Sequence, residues 1–181
     1  MGTSSVLRIT GHTRDCTKDT SSTISITVAA AAKLAVTNQP STPTVSLTAF
    51  AAQPVVQLQD ASGNVLTTDS TSVITVAVQT GSGTLATTLT KTLVSGVATF
   101  VGLNIDLVGT NYVLRFTGHA SDFTQDTSSA ISITVAAAAK LAVTTQPSTP
   151  TVPLTAFAPQ PVVQLQDASG NLLTTDSTSV I

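Results

Sequence analysis

Residues 53–64 read QPVVQLQDASGN, and residues 160–171 read QPVVQLQDASGN again. The first half alternates: Val56 and Leu58 fall on one side of an extended chain, with Val55, Gln57 and Gln59 on the other, the period-2 pattern of a half-buried strand. The second half is turn chemistry. Asp60 can accept hydrogen bonds from backbone N–H groups just ahead of it and Gly63 supplies positive φ, so 60–64 is expected to reverse the chain. A strand closed by a tight turn, occurring twice at an offset of 107 residues, decides both the fold class and the organisation of the chain.

Working outward, the offset holds without a gap from residues 6–74 onto 113–181, with changes such as Asn38 to Thr145, Ser46 to Pro153, Ala52 to Pro159 and Val65 to Leu172. A period of 107 residues is close to the commonest size of a single domain. The chain is therefore expected to hold one complete unit, residues 33–139, preceded by the last strands of another (3–32) and followed by the first strands of a third (140–181). The cuts fall at the four-Ala runs 29–32 and 136–139, which carry little side chain to bury and read as linkers. Residues 179–181 match 72–74, which lie inside an apolar run, so the sequence is expected to stop within a strand.

Inside the complete unit the alternation recurs seven times, near 33–38, 53–59, 73–79, 88–94, 97–105, 111–118 and 130–135. It aligns Ile74, Val76 and Val78 on one face, then Tyr112, Leu114 and Phe116, then Ile131, Ile133 and Val135. The run QPSTP at 39–43 breaks any ladder, because Pro has no N–H to donate. Composition agrees. The 181 residues include 35 Thr and no Glu, and all nine acids are Asp; straight-chain helix formers are scarce, while Thr, Val and Ser suit pleated strands. Seven short strands, each apolar on one side, imply an all-β, two-sheet sandwich.

Several motifs add a family resemblance. KLAVTxQPS, QPVVQLQDASGN, SGVATFVGLNID and GTNYVLRF together resemble the tandem bacterial immunoglobulin-like (Big-type) repeats of large surface and secreted adhesin or fibre proteins. The resemblance spans residues 3–181 and implies an Ig-like sandwich in an extracellular or cell-surface spacer, stalk or fibre. It also implies that Tyr112 is a corner tyrosine whose hydroxyl ties down a loop; its counterpart is Ser5, so that copy is expected to lack the tie. The motifs consist of core and turn positions and point to no ligand.

The chemistry-bearing residues are few. Seven scattered basic residues and 3% aromatics make neither a phosphate-neutralising patch nor a stacking platform, which excludes nucleic-acid binding. No apolar run approaches the ~20 residues of a membrane-spanning helix. His12 and His119 occupy equivalent positions, each followed by Asp15 or Asp122, but each lies alone in its unit and reads as a surface histidine. Cys16 aligns with Phe123, a position suited to a large apolar side chain. Asp60 and Asp167 read as turn residues. Asp60, Asp69 and Asp106 remain the candidates for a calcium site, although calcium takes six to eight oxygens from clustered carboxylates and the Ala linkers contain no acid. Thr88, Thr90 and Thr92 line one strand face, as an ice- or glycan-binding surface would, and as β-propensity alone also provides. No nucleophile, base and oxyanion stabiliser can be assembled, so no catalytic residue and no resident cofactor is expected.

The expected partners are copies of the same unit, arranged head-to-tail. Either the chain is a window on a longer array, which is the favoured reading, or the tail of one subunit combines with the head of the next by strand complementation. The second arrangement lacks a counterpart of residues 75–110. An adhesive module taking a glycan, protein or mineral surface is the alternative to a pure spacer.

Overall fold

The computed structural model describes residues 3–9, 19–118, 123–148 and 152–174, and every regular element among them is a strand. The N-terminal segment carries β1 (Thr3–Ser5), β2 (Arg8–Ile9), β3 (Asp19–Thr20) and β4 (Ile24–Ile26). The central unit carries β5 (Lys33–Asn38), β6 (Thr44–Val45), β7 (Val55–Gln59), β8 (Val73–Thr80), β9 (Leu85–Ala86), β10 (Thr90–Thr92), β11 (Val97–Thr99), β12 (Asn104–Ile105), β13 (Gly109–Thr117), β14 (Asp126–Thr127) and β15 (Ile131–Thr134). The C-terminal segment adds β16 (Lys140–Thr145) and β17 (Val162–Gln166).

The central unit is built from two principal sheets. The larger runs β10-β8-β13-β15-β6, with β14 also on β13, and the smaller runs β11-β7-β5. An isolated bridge from Lys33 to Thr124 is parallel, and pairing between these strands is antiparallel except between β15 and β6. The proline run explains that exception: after β5 the ladder is broken at 39–43, the chain crosses over, and Thr44–Val45 joins the opposite sheet beside β15. The first thirteen residues of the unit thus contribute to both layers.

Between the sheets lies one apolar core. Leu34, Val56 and Leu58 from the smaller sheet join Ile74, Val76, Tyr112, Leu114, Phe116, Ile131 and Ile133 from the larger, together with Phe50, Leu93, Phe100, Leu103 and Ile105, in one buried cluster. Phe100 and Phe116 stack tilted at 51°, centroids 5.5 Å apart, a geometry that aromatic quadrupoles favour. The faces expected from alternation are the buried ones in β7, β8, β13 and β15.

Two expectations are corrected. The stretch 97–105 is two strands, because the buried positions shift from Ala98 and Phe100 to Leu103 and Ile105, a change of parity that a continuous strand cannot make. The chain resets at Gly102, whose φ is +74°. The strand expected at 88–94 is reduced to the three-residue edge β10.

The corner tyrosine has the expected geometry. Tyr112 is buried, and its hydroxyl donates to the carbonyl of Leu107 at 3.1 Å. Glycines clear room for the ring. A Cβ at Gly81, where φ is +109°, would lie 2.1 Å from Tyr112 Cδ1, and one at Gly109 would lie 2.8 Å from Cε2. The tie holds the 106–108 loop at the end of the sandwich that faces residues 140–174.

Candidate functional site: the joint between repeats

The turn chemistry at 60–64 is present in both copies. Asp60 Oδ1 accepts from the N–H groups of Ser62 (3.0 Å) and Asn64 (2.9 Å), and Asp167 Oδ1 accepts from Asn171 N at 2.9 Å. Gly63 and Gly170 take φ of +89° and +91°. The Asn side chain folds back, so that Asn64 Nδ2 and Asn171 Nδ2 each donate to the other carboxylate oxygen, at 2.9 and 2.8 Å.

What the alternation did not reveal is where these carboxylates sit. Asp60 and Asp167 are 1% and 0% exposed, although both lie in a turn. Each Oδ2 also receives an N–H from the preceding Ala linker, Ala29 to Asp60 at 3.2 Å and Ala136 to Asp167 at 3.3 Å. A second bond flanks it: Ala32 N donates to Gln59 O and Ala139 N to Gln166 O, both at 2.9 Å. The linker contains no acid, yet an acid from the next strand pair secures it. Both linkers therefore run the same path across the turn that follows.

At the second joint the contacts extend into the central unit. Ser46 Oγ, itself buried, donates to Asp167 Oδ2 at 3.0 Å. Asn171 engages the backbone of the loop held by Tyr112, its Nδ2 donating to Asp106 O at 3.1 Å and its Oδ1 accepting from Val108 N at 3.1 Å. Burial pushes the Asp167 carboxyl up, but donation from the Asn171 side chain and backbone, Ser46 and Ala136 outweighs it and brings the pKa down to about 2. Asp60 is also held below the usual carboxylate value, chiefly by the Asn64 side chain, then by the Asn64 N–H, with burial opposing. A buried carboxylate without a cation is tolerable when several N–H and O–H groups converge on it.

The other sequence candidates are dispersed. Asp69 caps its own turn, accepting from Thr71 N, Ser72 N and Ser72 Oγ at 2.9, 3.0 and 2.7 Å, and these bonds, led by Ser72 N–H, lower its pKa. Asp106 Oδ1 accepts from Thr84 N at 2.6 Å. Among the described residues, no three His, Cys, Asp or Glu side chains gather as a metal site would require. Phe123 packs against the core, as its apolar position led one to expect. Thr88, Thr90 and Thr92 are exposed at and beside the edge strand β10. His12, His119, Asp15, Asp122, Cys16 and the expected strand at 179–181 lie outside the described residues.

The terminal segments repeat pairings seen in the central unit. Sheet β16-β17 matches β5-β7 in register, Leu141 opposite Leu165 as Leu34 is opposite Leu58, and β1-β4 pairs as β13-β15 does at Ser5–Ile24, the counterpart of Tyr112–Ile131, without the register shift that sets Gly109 opposite Ile133. Their apolar faces, however, are uncovered. Leu34 is 3% exposed but Leu141 55%; Phe50 is 2% and Phe157 45%; Ile133 is 2% and Ile26 58%. In comparisons with known proteins, no family model matches this chain and no curated protein aligns with it significantly.

Proposed function

We propose that this chain is a stretch of a non-catalytic structural protein in which Ig-like sandwiches follow one another as an extracellular bacterial spacer, stalk or filament. The observation that carries the reading is the contrast between equivalent positions. Leu141 and Phe157 at one end, and Leu7 and Ile26 at the other, are exposed, whereas Leu34, Phe50, Leu114 and Ile133 are core. Apolar surface of that extent requires a cover, and the central unit displays a fitting one: strands of the same repeat. Neighbouring units complete these faces, whether they follow in the same chain or belong to a second copy placed head-to-tail.

The reading assigns no catalytic residue and no cofactor. A second reading, an adhesive module for a glycan, protein or mineral surface, is favoured by the exposed Thr88, Thr90 and Thr92 beside exposed Lys91. A binding screen of the 181-residue chain against glycan arrays and mineral surfaces separates the two. The spacer reading expects no saturable ligand; saturable binding abolished by Thr90→Ala and Thr92→Ala establishes the adhesive one instead.

A further inference from the structure

We infer that the Asp-Ala-Ser-Gly-Asn turn at 167–171 is a docking element that locks the strands after the second linker onto the central sandwich, through its 106–108 loop and through Ser46, a position that is Pro153 in the next copy. The inference rests on the repeat reading above and adds the residues that set the angle and stiffness of the joint. Two features carry it. First, the linker bonds recur at both joints with the same partners, Ala29 and Ala136 on the Asp, Ala32 and Ala139 on the Gln. Second, at the joint where the preceding sandwich is complete, Asn171 matches its loop in both senses, donating to a carbonyl and accepting from an amide.

Those bonds fix orientation more strictly than apolar contact would, because hydrogen bonds weaken steeply when misaligned. The linker side chains cannot do this: Ala offers no polar group and little surface. Local charge does not supply the contact either. Lys140 Nζ donates to Ala168 O at 3.4 Å, and the Asp106 carboxylate is turned to Thr84, so the Asp167 carboxylate is answered by neutral donors. The turn thus has two tasks in one side-chain pair. It reverses the chain after β17, so that Leu172 and Leu173 pair back onto Gln166 and Leu165, and it grips the linker and the previous domain.

Amide hydrogen exchange on the full chain tests the inference without labels. Val108 N–H reports on the grip, because its bond runs to Asn171 Oδ1, and Leu114 N–H, bonded to Ser128 Oγ inside the sandwich, is the control. The expected result is that Val108 and Ala136 are protected in the native chain, and that Asn171→Ala raises Val108 exchange at least tenfold while Leu114 is unchanged. Asn64→Ala, at the equivalent turn, leaves Val108 protected. Because Asn171→Ala also weakens its own turn, Ser46→Ala is the second variant: it removes only the cross-domain hydroxyl and raises the titration midpoint of Asp167, not of Asp60. Val108 exchanging at the unprotected rate in the native chain, or an Asp167 midpoint unmoved by Ser46→Ala, overturns the docking role. Neither result touches the spacer reading, which fails instead on a saturable ligand.

Discussion

Replacing Tyr112 with Phe probes the corner that supports the joint. The ring is retained, so the space cleared by Gly81 and Gly109 stays filled and no cavity term enters. What is lost is one hydroxyl donating to Leu107 O at 3.1 Å from a buried position. A neutral hydrogen bond contributes a net of about 0.5–1.5 kcal/mol, and a buried carbonyl left unpaired costs about 1–3 kcal/mol. Leu107 is only half-buried, which holds the sum to about 1–2 kcal/mol. For a unit of this size, 1 kcal/mol shifts the melting midpoint by roughly 4–8 °C, so Tyr112→Phe is expected to lower it by roughly 5–15 °C in a thermal scan of the chain followed by circular dichroism. The same variant speeds exchange at Val108, since the tie holds the loop that Asn171 engages. A midpoint shift below about 1 °C refutes the claim that the hydroxyl anchors the loop; a loss matching that of Tyr112→Ala shows that the ring's surroundings, not the bond, respond.

Three further outcomes follow from packing and charge. Gly81→Ala is expected to be more damaging than Tyr112→Phe in the same scan, because the new Cβ would lie 2.1 Å from the tyrosine ring at a φ of +109°, a backbone region that L side chains rarely adopt. Phe116→Ala should destabilise the central unit by about 3–5 kcal/mol by the usual cost of truncating a core aromatic, while Phe157→Ala, at 45% exposure, should cost under about 1 kcal/mol in urea titrations of the isolated chain; equal costs would mean that the C-terminal face is covered. Acid should loosen the joint. Asp167 has a depressed pKa of about 2, so its stabilisation, on the order of 1–2 kcal/mol, is complete above about pH 4 and is lost as pH falls through the folded value; Val108 exchange corrected for its intrinsic pH dependence should rise only below about pH 4, and a rise near neutrality contradicts this.

The strands were largely legible because burial on one face enforces period 2. Val56 and Leu58, Ile74 and Val76, Leu114 and Phe116 are apolar at alternate positions and are 0% exposed in the fold. The break inside 97–105 was present in the sequence as a parity slip, with Phe100 and Leu103 both large and apolar but three apart, and Gly102 between them. β6, β9 and β14 are two residues each, too short for alternation to register, and exist because neighbouring strands offer free edges. The joint was the least legible part. Asp60 reads correctly as a turn residue from its own five-residue window, but its burial depends on Ala29, 31 positions away, and that of Asp167 on Ser46, 121 positions away. Local sequence gives the donors and acceptors of a turn and does not say which other segment shares them.

The measurement that bears most directly on the central claim is X-ray scattering from chains carrying two, three and four copies of residues 33–139. A stiff array with identical joints predicts that the maximum dimension grows by a constant increment with each added repeat. Growth with roughly the square root of the repeat number, as for freely jointed beads on flexible linkers, would contradict it.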